Sequence, residues 1–168
     1  MSDSIVIMGV AGCGKSSLGA ALASSLGLPL IEGDDFHSPD SREKMSRGVA
    51  LTDADRGEWL RAMSDQLRCH RNGVVLTCSA LKRAYRQQLR DAYPKVHFVF
   101  MEIARDAALQ RVASRASSHF FSASLVDSQF ATLESPIGER NVLRVDALDT
   151  IEGLLHRVGT WLRERETA

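Results

Sequence analysis

One glycine-rich segment constrains this chain more than any other feature. Residues 9–16 read Gly-Val-Ala-Gly-Cys-Gly-Lys-Ser and match the pattern G-x-x-x-x-G-K-[ST] at every constrained position. The apolar run at residues 4–8 predicts a buried strand, and the spacing of Leu18, Leu22 and Leu26 predicts a helix. Strand, glycine loop and helix come in the order that a phosphate-binding loop requires, so a nucleoside triphosphate is the expected ligand. The alternative is a chance match in a turn rich in Gly and Ser.

The residue types of this loop suit a phosphate chain. Glycines let backbone N–H groups approach an anion at the start of a helix, where the helix dipole favours negative charge. Lys15 adds a mobile positive charge for the β- and γ-phosphates, and the Ser16 hydroxyl suits a Mg²⁺ ion that accompanies the nucleotide. The predicted nucleotide-binding residues of the loop are Gly9, Val10, Ala11, Gly12, Cys13, Gly14, Lys15, Ser16 and Ser17.

Length and charge limit the other classes of function. The 168 residues suit a single domain, over residues 1–168, whose core needs no disulfide or metal. The net charge is zero and no apolar run could cross a bilayer, which argues against nucleic acid or a membrane and favours a small soluble substrate. The N-terminus lacks the features of a secretory signal, which predicts a cytoplasmic protein. Cys13, Cys69 and Cys78 have no metal-ligand spacing and are predicted to be reduced thiols.

Apolar β-rich runs alternate with polar helical segments along the whole chain. This alternation predicts an α/β fold of three layers, in which a parallel sheet carries helices on both faces. The predicted strands are residues 4–8, 28–31, 73–78, 96–102 and 142–145. Further helices are predicted after Thr52, which is a suitable N-cap, and at residues 81–92, 104–115, 124–133 and 150–165.

Carboxylates follow the second predicted strand, at the edge where ligands of open α/β sheets gather. Glu32, Asp34 and Asp35 are close in sequence, and His37 comes next. A carboxylate that faces a phosphate loop can orient an acceptor hydroxyl, take its proton or hold water around Mg²⁺. We predict Asp34 as the base and, together with Ser16, as a metal contact. The alternative is that these acids only solvate a turn.

Ordered matches over nearly the whole chain resemble the gluconate kinases, which belong to the same P-loop group as shikimate kinases and nucleoside monophosphate kinases. The matching residues lie within segments 8–16, 32–37, 44–60, 78–86, 119–120 and 128–134. The resemblance implies a five-stranded parallel sheet, a short lid at about residues 111–124 and a homodimer. It also implies that ATP, with Mg²⁺, gives its γ-phosphoryl group to the 6-hydroxyl of D-gluconate.

Gluconate is a polyol with one carboxylate, so its site should offer a cation and many hydrogen-bond partners. The residues that the resemblance and this chemistry assign to substrate binding are Asp34, His37, Lys44, Arg56, Ser79, Lys82, Arg86, His119 and Gln129. Alternatives stay open: Arg56 could pair with Asp53 or Glu58 on a helix surface, and the histidines could be packed or solvated. Met45 and Trp59 are expected in the pocket wall or the core.

Arg111 and Arg115 are four residues apart on a predicted helix and project from one face, just before the loop at residues 116–121. In the related kinases, arginines in this place close over the nucleotide, and one that reaches the transferring group stabilises its charge. We predict nucleotide binding for both, and a catalytic role for Arg115 beside Lys15 and Asp34. The alternative is a solvent-exposed helix.

Two other functions stay open. The first is a kinase of the same architecture that acts on shikimate, a nucleotide or another sugar acid. The second is a guanine-nucleotide switch or an ATP-dependent regulator that binds protein partners. A GTPase carries the sequences N-K-x-D and D-x-x-G, and neither occurs in this chain, which argues against the switch.

Overall fold

The computed structural model describes residues 3–115 and 122–168, and a parallel sheet lies at the centre of that part of the chain. Its strands are β1 (Ile5–Met8), β2 (Leu30–Glu32), β3 (Val75–Thr77), β4 (His97–Glu102) and β5 (Val142–Asp146). They are hydrogen-bonded in the order β2-β3-β1-β4-β5, and every pairing is parallel. The predicted five-stranded parallel sheet is confirmed.

Helices cover both faces of this sheet. They are α1 (Lys15–Leu26), α2 (Pro39–Ser46), α3 (Asp53–Cys69), α4 (Arg83–Ala92), α5 (Arg105–Ser114), α6 (Ala123–Thr132) and α7 (Ile151–Glu166). One hydrophobic core contains Leu18 and Leu22 of α1 with Leu154 of α7. A second core contains Leu60 of α3 and Leu89 of α4. The three-layer α/β arrangement is therefore confirmed.

Strand β1 explains why the sheet is apolar on both sides. Successive side chains of a strand point to opposite faces. Ile5 and Ile7 belong to the core with α1 and α7, whereas Val6 and Met8 belong to the core with α3 and α4. All four residues are buried. A continuous apolar run is the expected pattern for a strand that helices cover on both faces.

The second strand begins two residues later than the sequence predicts. Gly27 has a φ of +65° and ends α1, and the Leu28 N–H donates to the carbonyl of Ala23. Leu28 therefore closes the helix rather than joining the sheet, as is common for a residue after a glycine C-cap. The strand then runs to Glu32, so this carboxylate belongs to the sheet edge itself.

Two short helices between β2 and α3 were not predicted. A 3-10 helix spans Gly33–Phe36, and α2 follows it at Pro39–Ser46. The signal for α2 was present in the sequence, since Ser38 is its N-cap and Pro39 is its first residue. These helices form one side of the cleft described below.

The phosphate loop follows β1, at the point where the order of the strands across the sheet reverses. Strand β1 has β3 on one side and β4 on the other, and this crevice is where open α/β sheets bind ligands. Of the predicted lid, residues 116–121 lie outside the described residues, so the lid stays a prediction. Cys13, Cys69 and Cys78 are free thiols. In the described ranges, no helix combines the length and apolar character needed to span a membrane.

Candidate active site

The loop after β1 has the conformation that its glycines predict. Gly12 has a φ of +84°, and a Cβ there would lie 2.8 Å from the Ala108 carbonyl oxygen. Gly14 has a φ of +96° and is the N-cap of α1, with no side chain capping the first turn. The first N–H groups of α1 are thus left for an anion at the positive end of the helix dipole.

Lys15 lies across this loop. Its Nζ donates to the carbonyl oxygens of Gly9 at 3.0 Å and Val10 at 3.2 Å, and its side chain lines the cleft. A change of side-chain rotamer is enough to bring the ammonium group of a lysine in this position into contact with phosphate oxygens. The geometry therefore suits the predicted contact with the β- and γ-phosphates.

Ser16 has an oriented hydroxyl. It donates to Glu32 Oε2 at 3.0 Å, and the same oxygen accepts from the Thr77 hydroxyl at 2.6 Å. Because Ser16 is the donor, its oxygen lone pairs stay available to a cation. In the described residues, no group of three or more His, Cys, Asp or Glu side chains could hold a metal by itself. The donor set fits Mg²⁺ bound mainly through phosphates and water.

Asp34 lies in the 3-10 helix, opposite the loop. It lines the cleft with 64% of its side chain exposed, whereas Glu32 and Asp35 are not among the described lining residues. Desolvation raises the pKa of Asp34, but the hydrogen bond with His37 and the charges of Lys15 and Arg42 outweigh it and hold the pKa below its usual value. Asp34 is therefore ionised at neutral pH, as a base must be.

His37 and Trp59 form an aromatic wall of the same cleft. Their rings stack with centroids 4.7 Å apart, and the Trp59 indole donates to the Gly33 carbonyl at 2.7 Å. The His37 Nδ1 is buried and has no hydrogen-bond partner in the described residues. Met45 and Trp59 are both buried and both line the cleft, so the expectation that they lie in the pocket wall or the core is confirmed.

Arg56 lies in the cleft and is only 8% exposed. Its Nη1 donates to the Tyr85 hydroxyl at 3.4 Å. Within the described ranges it forms no ion pair, so the alternative of a surface pair with Asp53 or Glu58 is wrong. A buried guanidinium without a carboxylate is costly unless a ligand supplies one.

Ser79, after β3, and Gln129, on α6, also line the cleft. The Ser79 carbonyl accepts from the Gly9 N–H at 3.3 Å, and the Gln129 Oε1 accepts from the Ala11 N–H at 2.7 Å. Gln129 belongs to α6, whose first residues overlap the end of the predicted lid. The phosphate loop is therefore tied to α6 as well as to the turn after β3.

Three predicted substrate residues do not line the described cleft. Lys44 pairs with Asp55 at 2.9 Å, and Lys82 pairs with Asp53 at 2.9 Å, so both cations have carboxylate partners. Arg86 is fully buried. All five of its N–H donors are used, by the Glu139 carboxylate and by the carbonyls of Ala80, Leu81 and Glu134. Arg86 is therefore a structural residue, and its predicted substrate contact is wrong.

The buried pair of Arg86 and Glu139 has a pH dependence. Burial raises the pKa of Glu139, but hydrogen bonds from Arg86 and Arg90 outweigh it and hold the pKa below the ordinary value of 4.5. The lowered pKa contributes stability above the unfolded-state pKa, and this contribution is lost as the pH falls through the folded value. We expect Glu139→Gln to flatten the loss of unfolding free energy in acid, measured by urea denaturation from neutral pH downwards. An unchanged acid slope would contradict this account.

The two lid arginines differ in their surroundings. Arg111 Nη1 donates to the Cys13 carbonyl at 3.1 Å, and its Nη2 donates to the Ala147 carbonyl at 3.0 Å. Arg111 thus braces the phosphate loop against the turn after β5, and the solvent-exposed alternative is wrong for it. Arg115 follows α5 and lines the cleft. His119 lies outside the described residues, so its substrate contact stays a prediction.

Sequence reasoning missed two residues that support the site and several that line it. The Thr77 hydroxyl donates to Glu32, and the Arg42 guanidinium donates to the Asp34 carbonyl at 3.1 Å. The lining residues that were missed come from loops and helices far apart in sequence, namely Ala50, Leu51, Val112, Leu125 and Ser128. A polar residue at the carboxyl end of a strand was a usable signal for Thr77. The apolar lining residues carried no such signal.

Comparison with known proteins gives two related results. The shikimate kinase family model matches residues 11–140. Among curated relatives, gluconokinase from Gluconobacter oxydans is 46% identical over 84% of this chain and 80% of its own length. Thermosensitive gluconokinase from Escherichia coli is 37% identical over 86% of this chain and 79% of its own length. Both results indicate a small-molecule kinase, which implies a nucleotide substrate.

Solved structures agree with this assignment. A gluconokinase from Sinorhizobium meliloti is 41% identical and superposes with a TM-score of 0.86 over 97% of both chains. A sugar kinase from Janibacter is 37% identical, with a TM-score of 0.90 over 97% of this chain and 95% of that one. Because several relatives above 30% identity are covered over most of their length, this chain belongs to the gluconokinase family of P-loop kinases.

Proposed function

We propose that this chain transfers the γ-phosphoryl group of ATP to the 6-hydroxyl of D-gluconate, giving 6-phosphogluconate and ADP. The observation that carries the proposal is the buried Arg56 guanidinium, which lines the same cleft as Asp34 and the phosphate loop and lacks a carboxylate partner in the described residues. An acid with a terminal hydroxyl supplies that carboxylate. The relatives named gluconokinase support the same substrate.

The nucleotide half of the site is the loop from Gly9 to Ser17 with Arg111. The N–H groups at the start of α1 bind phosphate oxygens, and Lys15 adds its charge. Ser16 and Asp34 would hold the Mg²⁺ ion, and Glu32 orients the Ser16 hydroxyl. When bound, Mg²⁺ neutralises part of the phosphate charge.

The acceptor half delivers the hydroxyl. Asp34 orients the 6-hydroxyl and takes its proton as the hydroxyl oxygen bonds to the γ-phosphorus, while the bond between that phosphorus and the ADP oxygen breaks. Lys15 and Arg115 stabilise the negative charge that spreads over the transferring oxygens. The electron pair of the broken bond stays on the ADP oxygen, and the proton of the 6-hydroxyl is held by Asp34.

Substrate contacts divide into a carboxylate end and a polyol chain. Arg56 binds the carboxylate by charge-assisted hydrogen bonds. His37, Ser79 and Gln129 supply partners for the hydroxyls, and His119 is expected to join them. Lys44 and Lys82 are paired with Asp55 and Asp53, so the proposal assigns the carboxylate of the acceptor to Arg56 alone.

A second acceptor deserves a test because one specific observation favours it. The family model that matches residues 11–140 is that of shikimate kinase, and shikimate also carries one carboxylate and several hydroxyls. The deciding experiment measures ADP release from Mg-ATP with D-gluconate, shikimate, AMP, other aldonates, glucose or no acceptor. We expect turnover with gluconate well above the others. Turnover on shikimate with none on gluconate would overturn the proposed substrate and keep the kinase.

The resemblance to the gluconate kinases also supports a homodimer in the cytoplasm, and we include both in the proposal. Sedimentation equilibrium of the purified chain measures the assembly directly, against a chain mass of 18.4 kDa. A mass of twice that value is expected. A mass equal to one chain at assay concentrations would contradict the dimer and leave the proposed reaction unaffected.

Lys15→Ala should reduce kcat by about 10²–10³-fold, because a positive charge aimed at the transferring group is lost. Steady-state ADP release with saturating ATP and gluconate measures this. Lys95→Ala is the matched control, since Lys95 is exposed and precedes β4 at the opposite end of the sheet. An equal loss in both variants, or normal turnover in Lys15→Ala, would contradict the role given to Lys15.

A further inference from the structure

Arg56 and Asp53 stand three residues apart on α3, a spacing at which opposite charges usually meet. In the described residues they form no ion pair. Arg56 Nη1 donates instead to the Tyr85 hydroxyl at 3.4 Å, and that hydroxyl donates to Asp53 Oδ1. Tyr85 belongs to α4, so a side chain from a different helix stands between the two charges.

Asp53 is satisfied without Arg56. Lys82 Nζ donates to its two carboxylate oxygens at 2.9 and 3.1 Å, and the Tyr85 hydroxyl supplies a further hydrogen bond. Those bonds, from Tyr85 first and Lys82 second, hold the pKa of Asp53 below its usual value. Burial raises the pKa of Tyr85, so the phenol keeps the proton that it gives to Asp53.

Asp53, Arg56, Lys82 and Tyr85 together carry one net positive charge. Asp53 and Lys82 cancel, Tyr85 is neutral, and Arg56 keeps a full positive charge while it is 8% exposed and lines the cleft. A guanidinium held in this way binds a ligand carboxylate more strongly than one that already shares a carboxylate. Without the Tyr85 hydroxyl, Asp53 would lose one hydrogen-bond donor. Arg56, three residues further along the same helix, could then take its place as a donor to Asp53.

We infer that Tyr85 is a positioning residue that keeps Asp53 away from Arg56 and so leaves the Arg56 guanidinium for the carboxylate of the acceptor. This inference rests on the proposed function, because it requires an acceptor that carries a carboxylate. Tyr85 does not touch the substrate. It sets the affinity for the acceptor through Arg56, and it leaves the nucleotide half and Asp34 unaffected.

The test uses the variants Tyr85→Phe and Asp53→Asn and their double variant, with KM and kcat measured separately for gluconate and ATP. In Tyr85→Phe the KM for gluconate should rise roughly tenfold, the size expected for one weakened charge-assisted hydrogen bond, with kcat and the KM for ATP unchanged. In the double variant the KM should return close to the wild-type value, because the competing carboxylate is gone. Tyr93→Phe, at the end of α4, is the matched control and should behave as wild type.

The rescue separates positioning from loss of packing. Tyr85→Phe and the double variant lack the same hydroxyl, so a packing defect would raise the KM for gluconate in both. An unchanged KM in Tyr85→Phe, or a raised KM that Asp53→Asn does not restore, would overturn the inference. If Tyr85→Phe fails to fold, Lys82→Ala replaces it, alone and combined with Asp53→Asn. Lys82 is only partly buried, and its loss removes the ion-pair partner of Asp53. A wild-type chain without gluconate turnover would refute the proposed function, whereas wild-type turnover without these KM changes would refute the inference alone.

Discussion

Asp34→Asn should lower kcat with gluconate by about 10³-fold, within the range for the loss of a general base. The amide keeps the size of the side chain and some of its hydrogen bonds, but it cannot take the proton of the acceptor hydroxyl. Affinity for ATP should change little, because the phosphate chain is bound by backbone N–H groups and Lys15. Steady-state kinetics with each substrate varied in turn, together with calorimetric titration of ATP, measures both quantities.

Asp35→Asn is the matched control for this experiment. Asp35 lies in the same 3-10 helix, is exposed and does not line the described cleft. It should keep most of the turnover. Normal turnover in Asp34→Asn would remove Asp34 from the role of base, and an equal loss in Asp35→Asn would show that the acidic run acts as a whole.

Arg86→Ala should destabilise the protein by about 3–5 kcal/mol, the usual cost of removing one partner from a buried ion pair. Glu139 would keep only Arg90 as a charged partner, and the carbonyls of Ala80, Leu81 and Glu134 would lose their donors. Buried acceptors without donors add to the cost. Urea denaturation monitored by tryptophan fluorescence measures the change in unfolding free energy.

The control for this prediction is Arg83→Ala in the first turn of the same helix. The Arg83 side chain is exposed, and only its backbone N–H contacts Glu134, so the substitution keeps that hydrogen bond. We expect it to change the unfolding free energy by less than about 0.5 kcal/mol. A similarly small effect for Arg86→Ala would mean that the buried pair does not hold the loop after α6 against the turn after β3.

The features that could be predicted from the sequence are those set by neighbouring residues. The phosphate loop, Lys15, Ser16 and the position of Asp34 after β2 follow from local spacing and from the rule that ligands gather at the carboxyl ends of strands. The strand runs and most helices followed from apolar periodicity, with ends displaced by a few residues. The start of β2 was displaced because Leu28 closes α1, a contact that periodicity alone does not report.

The features that could not be predicted depend on partners far away in sequence. Arg86 resembles a substrate contact by its place in the chain, but Glu139 lies 53 residues further on and binds it in the interior. Arg56 could equally have paired with Asp53, and the Tyr85 hydroxyl from α4 decides against that. Of the basic residues predicted to bind the substrate at positions 44, 56, 82 and 86, only Arg56 lines the described cleft, and the other three are paired with carboxylates.

The most direct test of the proposed reaction is the identity of its product. Purified protein is incubated with Mg-ATP and ¹³C-labelled D-gluconate, and the product is examined by ³¹P and ¹³C NMR. We predict one phosphomonoester, with coupling between phosphorus and carbon 6 and one ADP formed for each ester. A phosphate on another carbon, or unchanged gluconate beside a phosphorylated shikimate in a parallel incubation, would contradict the assignment of gluconate as the acceptor.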